Sequence, residues 1–195
     1  MNVIVKVKCF VVSGGKAPTR GHRDDIGWDL FIRAIVSPGE FNGRRRYIRK
    51  EVFDFRSYPA CSGWLIKKGI VERDSEGFLY RLRPRGSVSL GLGVVVELPG
   101  LAGYIRPRGS TIASAFNSCR LEIANDTVPV DPGFRGELWA ELVNHGPGTF
   151  ILRKNLRLCQ LVVGSAPYEL ALVRSYGDLS PAVRGTNCNG STGRF

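Results

Sequence analysis

A chain of 195 residues is long enough to bury one sizeable core, and its length argues for a single domain. Its 28 Lys and Arg against 17 Asp and Glu give a net charge of +11, which suits a polyanionic partner, either nucleic acid or a nucleoside triphosphate. No apolar run approaches the ~18 residues of a membrane-spanning helix, and five scattered cysteines with two histidines argue against a zinc site or a Ser-His-Asp hydrolase.

In chain order, the opening residues alternate too strictly for the continuous apolar core of a signal peptide, so a cytoplasmic location and reduced cysteines are expected. The first predicted strand puts Val3, Val5, Val7, Cys9 and Val11 on one face. Residues 39–85 then hold twelve basic and six acidic residues, so 12 − 6 = +6 of the net charge lies there. Its densest spots are Arg44-Arg45-Arg46 and Lys67-Lys68, interleaved with Tyr47, Phe53, Phe55, Tyr58 and Trp64, and residues 62–71 are predicted as one short helix. Aromatics beside basic residues can grip nucleic acid, but they equally build a small cluster with a charged rim, and that reading is preferred. A long strand follows, with Val88, Leu90, Leu92, Val94, Val96 and Leu98 on one face and Pro99-Gly100 ending it. Short apolar runs at 103–106, 120–124, 149–152 and 158–163 are separated by Gly, Pro and Asn. Leu138, Ala140 and Leu142 alternate, as do Tyr168, Leu170 and Leu172, before a Gly/Asn/Ser-rich tail at 185–194. Many short strands with frequent turn signals predict an all-β sandwich or barrel.

Residues 125–137, Asn-Asp-Thr-Val-Pro-Val-Asp-Pro-Gly-Phe-Arg-Gly-Glu, carry most of the functional signal. They read as a hairpin whose open backbone groups can bond a flat heterocycle, then an acid (Asp131), then an aromatic face (Phe134). The segment resembles the third motif of the trimeric dUTP pyrophosphatases (dUTPases) and of their relatives, the dCTP deaminases. Asp25-Ile26-Gly27-Trp28-Asp29-Leu30 resembles the first motif of that family, and Arg106-Pro107-Arg108-Gly109-Ser110 the second, with Ser and Gly exchanged. Asn155-Leu156-Arg157-Leu158-Cys159-Gln160-Leu161 resembles the fourth. Arg184-Gly185 with Gly190-Ser191-Thr192-Gly193 resembles the fifth. The likeness covers residues 1–41 and 87–195 and leaves about 42–86 as an insertion within a single dUTPase-like domain, expected to pack on the outside.

The resemblance implies a distorted jelly-roll that assembles as a homotrimer, with sites at subunit junctions. It also implies hydrolysis of dUTP to dUMP and pyrophosphate with Mg²⁺, held mainly by substrate phosphates and water. Asp131 becomes the base that orients the attacking water. Asn125, Val130 and the intervening backbone take the pyrimidine edge, and Phe134 covers the deoxyribose and rejects a 2′-hydroxyl. Arg108, Gly109, Ser110, Gln160, Arg184, Ser191 and Thr192 are the phosphate candidates, because Arg forks, hydroxyls and Gly-rich backbone N–H groups suit phosphate oxygens. Asp29 is a supporting residue. Three positions depart from the family pattern: Asn189 replaces the aromatic that lies over uracil, the Gly109-Ser110 order is exchanged, and Leu156 replaces an Asp. Glu141 stands where deaminases place their catalytic Glu, but Gly109 and Ala113 replace a Ser and an Arg of that site. A bifunctional deaminase and a non-catalytic nucleotide-sensing protein are the alternatives, and DNA binding through the insertion is a further one.

Overall fold

The computed structural model describes residues 5–37, 40–42, 46–59, 69–112, 118–164 and 168–181. These residues include sixteen short strands: β1 (Val5–Val11), β2 (Trp28–Leu30), β3 (Ala34–Val36), β4 (Glu40–Asn42), β5 (Arg46–Ile48), β6 (Glu51–Phe53), β7 (Gly69–Asp74), β8 (Gly77–Leu82), β9 (Ser87–Gly91), β10 (Val94–Glu97), β11 (Gly103–Pro107), β12 (Leu121–Ile123), β13 (Trp139–Asn144), β14 (Phe150–Arg153), β15 (Cys159–Val163) and β16 (Tyr168–Val173). Helix among the described residues amounts to one turn at Gly109–Ile112 and a 3₁₀ turn at Tyr176–Asp178. No helix among them is long and apolar enough to cross a membrane. The fold is all-β, as expected.

The strands form sheets ordered β10-β1-β16, β11-β15-β2, β12-β13-β9-β3-β6 and β14-β8-β7, with a β4-β5 ribbon. Alternation sets which residues enter the shared core. Val7 and Cys9 of β1 are fully buried, as are Val88, Leu90, Leu92 and Val94, and Leu138, Ala140 and Leu142 of the β13 region are buried with them. The long strand expected over 88–98 is two strands instead. Gly93, at φ +70°, turns the chain so that β9 pairs with β13 and β3 while β10 pairs with β1. A Gly at this corner lets one apolar stripe serve two sheets. A Cβ at Gly15, which lies against the corner, would come 2.4 Å from the Gly93 carbonyl oxygen, so both glycines are needed for the approach.

The 42–86 stretch departs from expectation in its packing. β6 pairs with β3 and β8 with β14, so Phe53, Phe55, Tyr80 and Leu82 lie in the main core cluster rather than in a satellite outside it. Burial of the Tyr80 ring also pushes its hydroxyl pKa up. The helix expected at 62–71 falls partly outside the described residues, and 69–71 begin strand β7. Arg44, Arg45, Lys67 and Lys68 also lie outside them. Leu172, placed by alternation on a buried face, is 59% exposed.

Candidate active site

Asp29 occupies the centre of β2, hydrogen-bonded through its backbone to Thr19 and paired in register with Gln160 of β15. Leu30 beside it enters the core, so alternation turns the Asp29 side chain the other way, yet only 5% of the residue is exposed. A buried carboxylate requires compensation. Arg108 Nε donates to its Oδ1 at 2.7 Å and Arg157 Nη1 to its Oδ2 at 3.0 Å. One acid thus gathers two guanidiniums, and the cluster keeps a net positive charge.

The turn after β11 carries Arg108 into this cluster. Its N–H donates to the Leu158 carbonyl, as does the buried Thr111 hydroxyl at 2.6 Å, so Gly109 and Ser110 project exposed from a pinned turn. Arg108 Nη1 lies 3.4 Å from the Ser110 hydroxyl. Gly27 clears space for Gln160, since a Cβ there would lie 2.3 Å from Gln160 Oε1. Burial and the nearby Asp29 charge push the Cys159 thiol up to about 12, against a lowering by Arg108, so this cysteine stays protonated and is not a nucleophile.

The second group is the 124–131 loop, a run of turns rather than the expected hairpin, since Val130 bridges to Gly103 of β11 and not to a strand of its own segment. Val130 and Gly103 of β11 exchange both backbone hydrogen bonds, at 3.0 and 2.7 Å, and Arg106 lies 3.5 Å from Asp126. Asn125 Nδ2 donates to the Trp139 carbonyl at 3.1 Å and its Oδ1 accepts from the Glu141 N–H at 2.9 Å. The Asn125 carboxamide therefore clamps the loop to β13. Because β11 touches the loop at Gly103 and Arg106 and leads into Arg108, it joins this group to the Asp29 cluster.

After that loop, the Phe134 N–H donates to the Asp131 carbonyl at 2.9 Å and closes a turn, and the Phe134 ring lies over Gly136, where a Cβ would sit 2.5 Å from Cζ. Glu141 is engaged elsewhere: it accepts from the buried Ser89 hydroxyl, which accepts from Arg49 Nη1 at 3.1 Å. Arg49 also stacks over the Trp139 ring, 3.5 Å from its centroid. Glu137 is likewise committed, taking two hydrogen bonds from Arg33 and one from the Gly93 N–H. Those bonds push the Arg33 pKa up despite its burial.

Arg184, Ser191, Thr192 and Asn189 of the fifth motif, and Ala113, lie outside the described residues. Sequence reading overlooked three residues at this site. Arg157 was visible within the fourth motif, Thr111 gave no signal beyond its place after Ser110, and Arg135 reads as an ordinary turn cation. Among the described residues, no cluster of His, Cys, Asp or Glu could hold a metal ion.

Residues 95–165 match a family model described as dCTP deaminase-like. A deoxyuridine 5′-triphosphate nucleotidohydrolase of Treponema pallidum subsp. pallidum is 37% identical over 163 residues, which is 83% of this chain and 97% of that protein. The corresponding protein of Maricaulis maris is 33% identical over 103 residues, 52% of this chain and 64% of that protein, so this second match spans just under two thirds of the relative's length. A Staphylococcus bacteriophage 80alpha dUTPase solved with dUpNHpp aligns over 96% of this chain and 98% of that one, at 17% identity and a TM-score of 0.48. On the Treponema relationship, the chain belongs to the deoxyuridine 5′-triphosphate nucleotidohydrolase (dUTPase) family.

Proposed function

We propose that this protein hydrolyses dUTP to dUMP and pyrophosphate, removing dUTP from the nucleotide pool and supplying dUMP for dTMP synthesis. The observation that carries the reading is the buried Asp29 holding Arg108 and Arg157 beside Gln160, joined through β11 to the 124–131 loop. Paired guanidiniums with residual positive charge suit a triphosphate. With the Asn125 carboxamide tied to β13, the loop backbone bonds the pyrimidine edge and Asn125 holds that backbone in shape. Phe134 packs on the deoxyribose and leaves no room for a 2′-hydroxyl.

Asp131 accepts a proton from a water as its oxygen bonds to the α-phosphorus, and the bond from that phosphorus to the bridging β-phosphate oxygen breaks, releasing pyrophosphate. Arg108, Ser110 and Gln160, with Arg184, Ser191 and Thr192, hold the phosphates. The donor set suits a Mg²⁺ carried by the substrate: both Asp29 oxygens are taken by arginines, and a triphosphate supplies the hard oxygens Mg²⁺ prefers. When bound, Mg²⁺ neutralises phosphate charge.

The test is a substrate panel with pyrophosphate and ammonia measured separately. Pyrophosphate is expected from dUTP, with little from UTP or dTTP and no ammonia from dCTP, since Glu141 is bound to Ser89 and coupled through it to Arg49. Ammonia release that disappears in Glu141→Gln would instead establish a bifunctional deaminase. Binding of dUTP without pyrophosphate release would overturn the enzyme.

We further propose one domain spanning 1–195, with 42–86 as an insertion that shares its core, assembling as a homotrimer. The core cluster running from Val7 to Val163 supports the first, and Leu172, exposed on edge strand β16, supports the second. One melting transition and a scattering mass of three chains are the expected results, and a fully active monomer would refute the trimer. A cytoplasmic location is supported by Cys9, Cys119 and Cys159 being free thiols.

A further inference from the structure

Arg135 is a buried cation, 7% exposed, with no part in the phosphate or base contacts just described. Burying a guanidinium costs several kcal/mol unless its donors are satisfied, so the identity of its acceptors is informative. Nη1 donates to the carbonyls of Pro132 at 2.7 Å and Phe134 at 3.1 Å. Both belong to the turn that begins at Asp131 and is closed by the Phe134 N–H. The side chain therefore folds back into its own loop and ties two successive stretches of it together.

The guanidinium is itself held from outside the loop. Its Nε donates to the Ser180 carbonyl at 3.2 Å, its Nη2 lies 3.8 Å from Glu97, and the Tyr176 hydroxyl donates to the Arg135 carbonyl at 2.8 Å. Glu97 also accepts from the Ser180 N–H at 2.6 Å and hydroxyl at 3.1 Å. Burial alone would raise the Glu97 carboxyl, but the Ser180 bonds, with Lys8 and Arg135 nearby, outweigh it and hold the group below its ordinary value. Residues 175–180 form a firm abutment: Ser175 and Asp178 make a reciprocal capping box, Lys8 Nζ donates to the Asp178 carbonyl, and the Tyr176 ring meets Phe10 edge-on at 6.1 Å.

We infer that Arg135 is the positioning residue for Asp131, setting the shape of the 131–135 loop, and that Glu97, Tyr176 and Ser180 fix Arg135 in that role. The inference rests on the hydrolytic reading above. A purely structural need for a filled space would be met at lower cost by an apolar side chain of similar volume. What an apolar chain cannot supply is a fork that bonds the Pro132 and Phe134 carbonyls at once.

The experiment compares wild type with Arg135→Met, Arg135→Lys and Tyr176→Phe, measuring kcat and KM for dUTP, Kd for dUpNHpp, melting, and amide exchange at 133–136. Tyr176 is 44% exposed, so its Phe variant keeps the fold while removing one bond to the loop. Arg135→Met is expected to lower kcat about 100-fold and Tyr176→Phe about 3-fold to 10-fold, as small misplacements of a catalytic group do. KM and the dUpNHpp Kd stay within about twofold, Arg135→Lys recovers part of kcat, and exchange at 133–136 rises while that of β15 does not. A folded Arg135→Met protein with wild-type kcat overturns the inference. So does a parallel loss of kcat, analogue binding and melting temperature, recovered in none by Lys. Wild-type protein that binds dUpNHpp but releases no pyrophosphate from dUTP would sink the hydrolase reading by itself. The exchange data would then still report whether Arg135 shapes the loop.

Discussion

Asp131→Asn is expected to leave a folded protein that binds dUTP nearly as well as wild type and turns it over about 10²-fold to 10⁴-fold more slowly, the range for loss of a positioned general base. The substitution keeps the size of the side chain and the Asp131 carbonyl that accepts from the Phe134 N–H, so the turn survives. What disappears is basicity. An effect confined to kcat, read in steady-state kinetics with dUpNHpp affinity measured separately, supports the role. Equal losses in kcat and affinity would make Asp131 a binding residue, and unchanged kcat would remove it from the mechanism.

Asp29→Ala is expected to give the largest combined loss of stability and activity. Arg108 and Arg157 sit on opposite oxygens of this one carboxylate, and removing it leaves two guanidiniums facing each other without their shared anion. Breaking a buried pair costs about 3–5 kcal/mol, and the lower end applies because both arginines retain contact with water. For a chain of this size that lowers the melting temperature by roughly 6–12 °C. The variant should also bind dUTP more weakly, because Arg108 loses the contact that aims it. Asp29→Asn is the softer version: it preserves the strand pairing with Thr19 and Gln160 but lacks the charge. Denaturant unfolding beside dUTP kinetics tests both. A stability change under 1 kcal/mol for Asp29→Ala would show that the two arginines find other partners.

The site became partly legible in the sequence because its motifs are short and local. The Asp-Pro-Gly-Phe turn reads from neighbouring residues, and so does Gly27, two places before Asp29, whereas the hairpin expected before that turn is a run of turns bridged to β11. The bonds that give these residues their tasks are not local. Asp29 meets Arg108 and Arg157 across 79 and 128 residues of chain, and Glu141 meets Ser89 across 52. Asn125, expected to point its amide at a base, uses it on the β13 backbone, a choice decided by where β13 runs.

By itself the sequence determined the all-β class and the core face of β1, of the 88–98 stripe and of β13, because their inward positions are written in the chain at period two, while Leu172 of β16 escaped that pattern. Val7 and Cys9, the 88–98 stripe and Leu138, Ala140 and Leu142 are buried as that pattern requires. The tertiary structure alone decided which sheet each strand joins. At Gly93 it divides one apolar stripe between two sheets, and it draws Phe53, Tyr80 and Leu82 of the extra segment into the common core through β3 and β14. It also turned Arg135 from a turn residue into a buried fork, since Glu97 and Ser180 approach from 38 and 45 positions away. Backbone pairing and charge compensation between distant segments depend on where the chain returns, and no local period encodes that return.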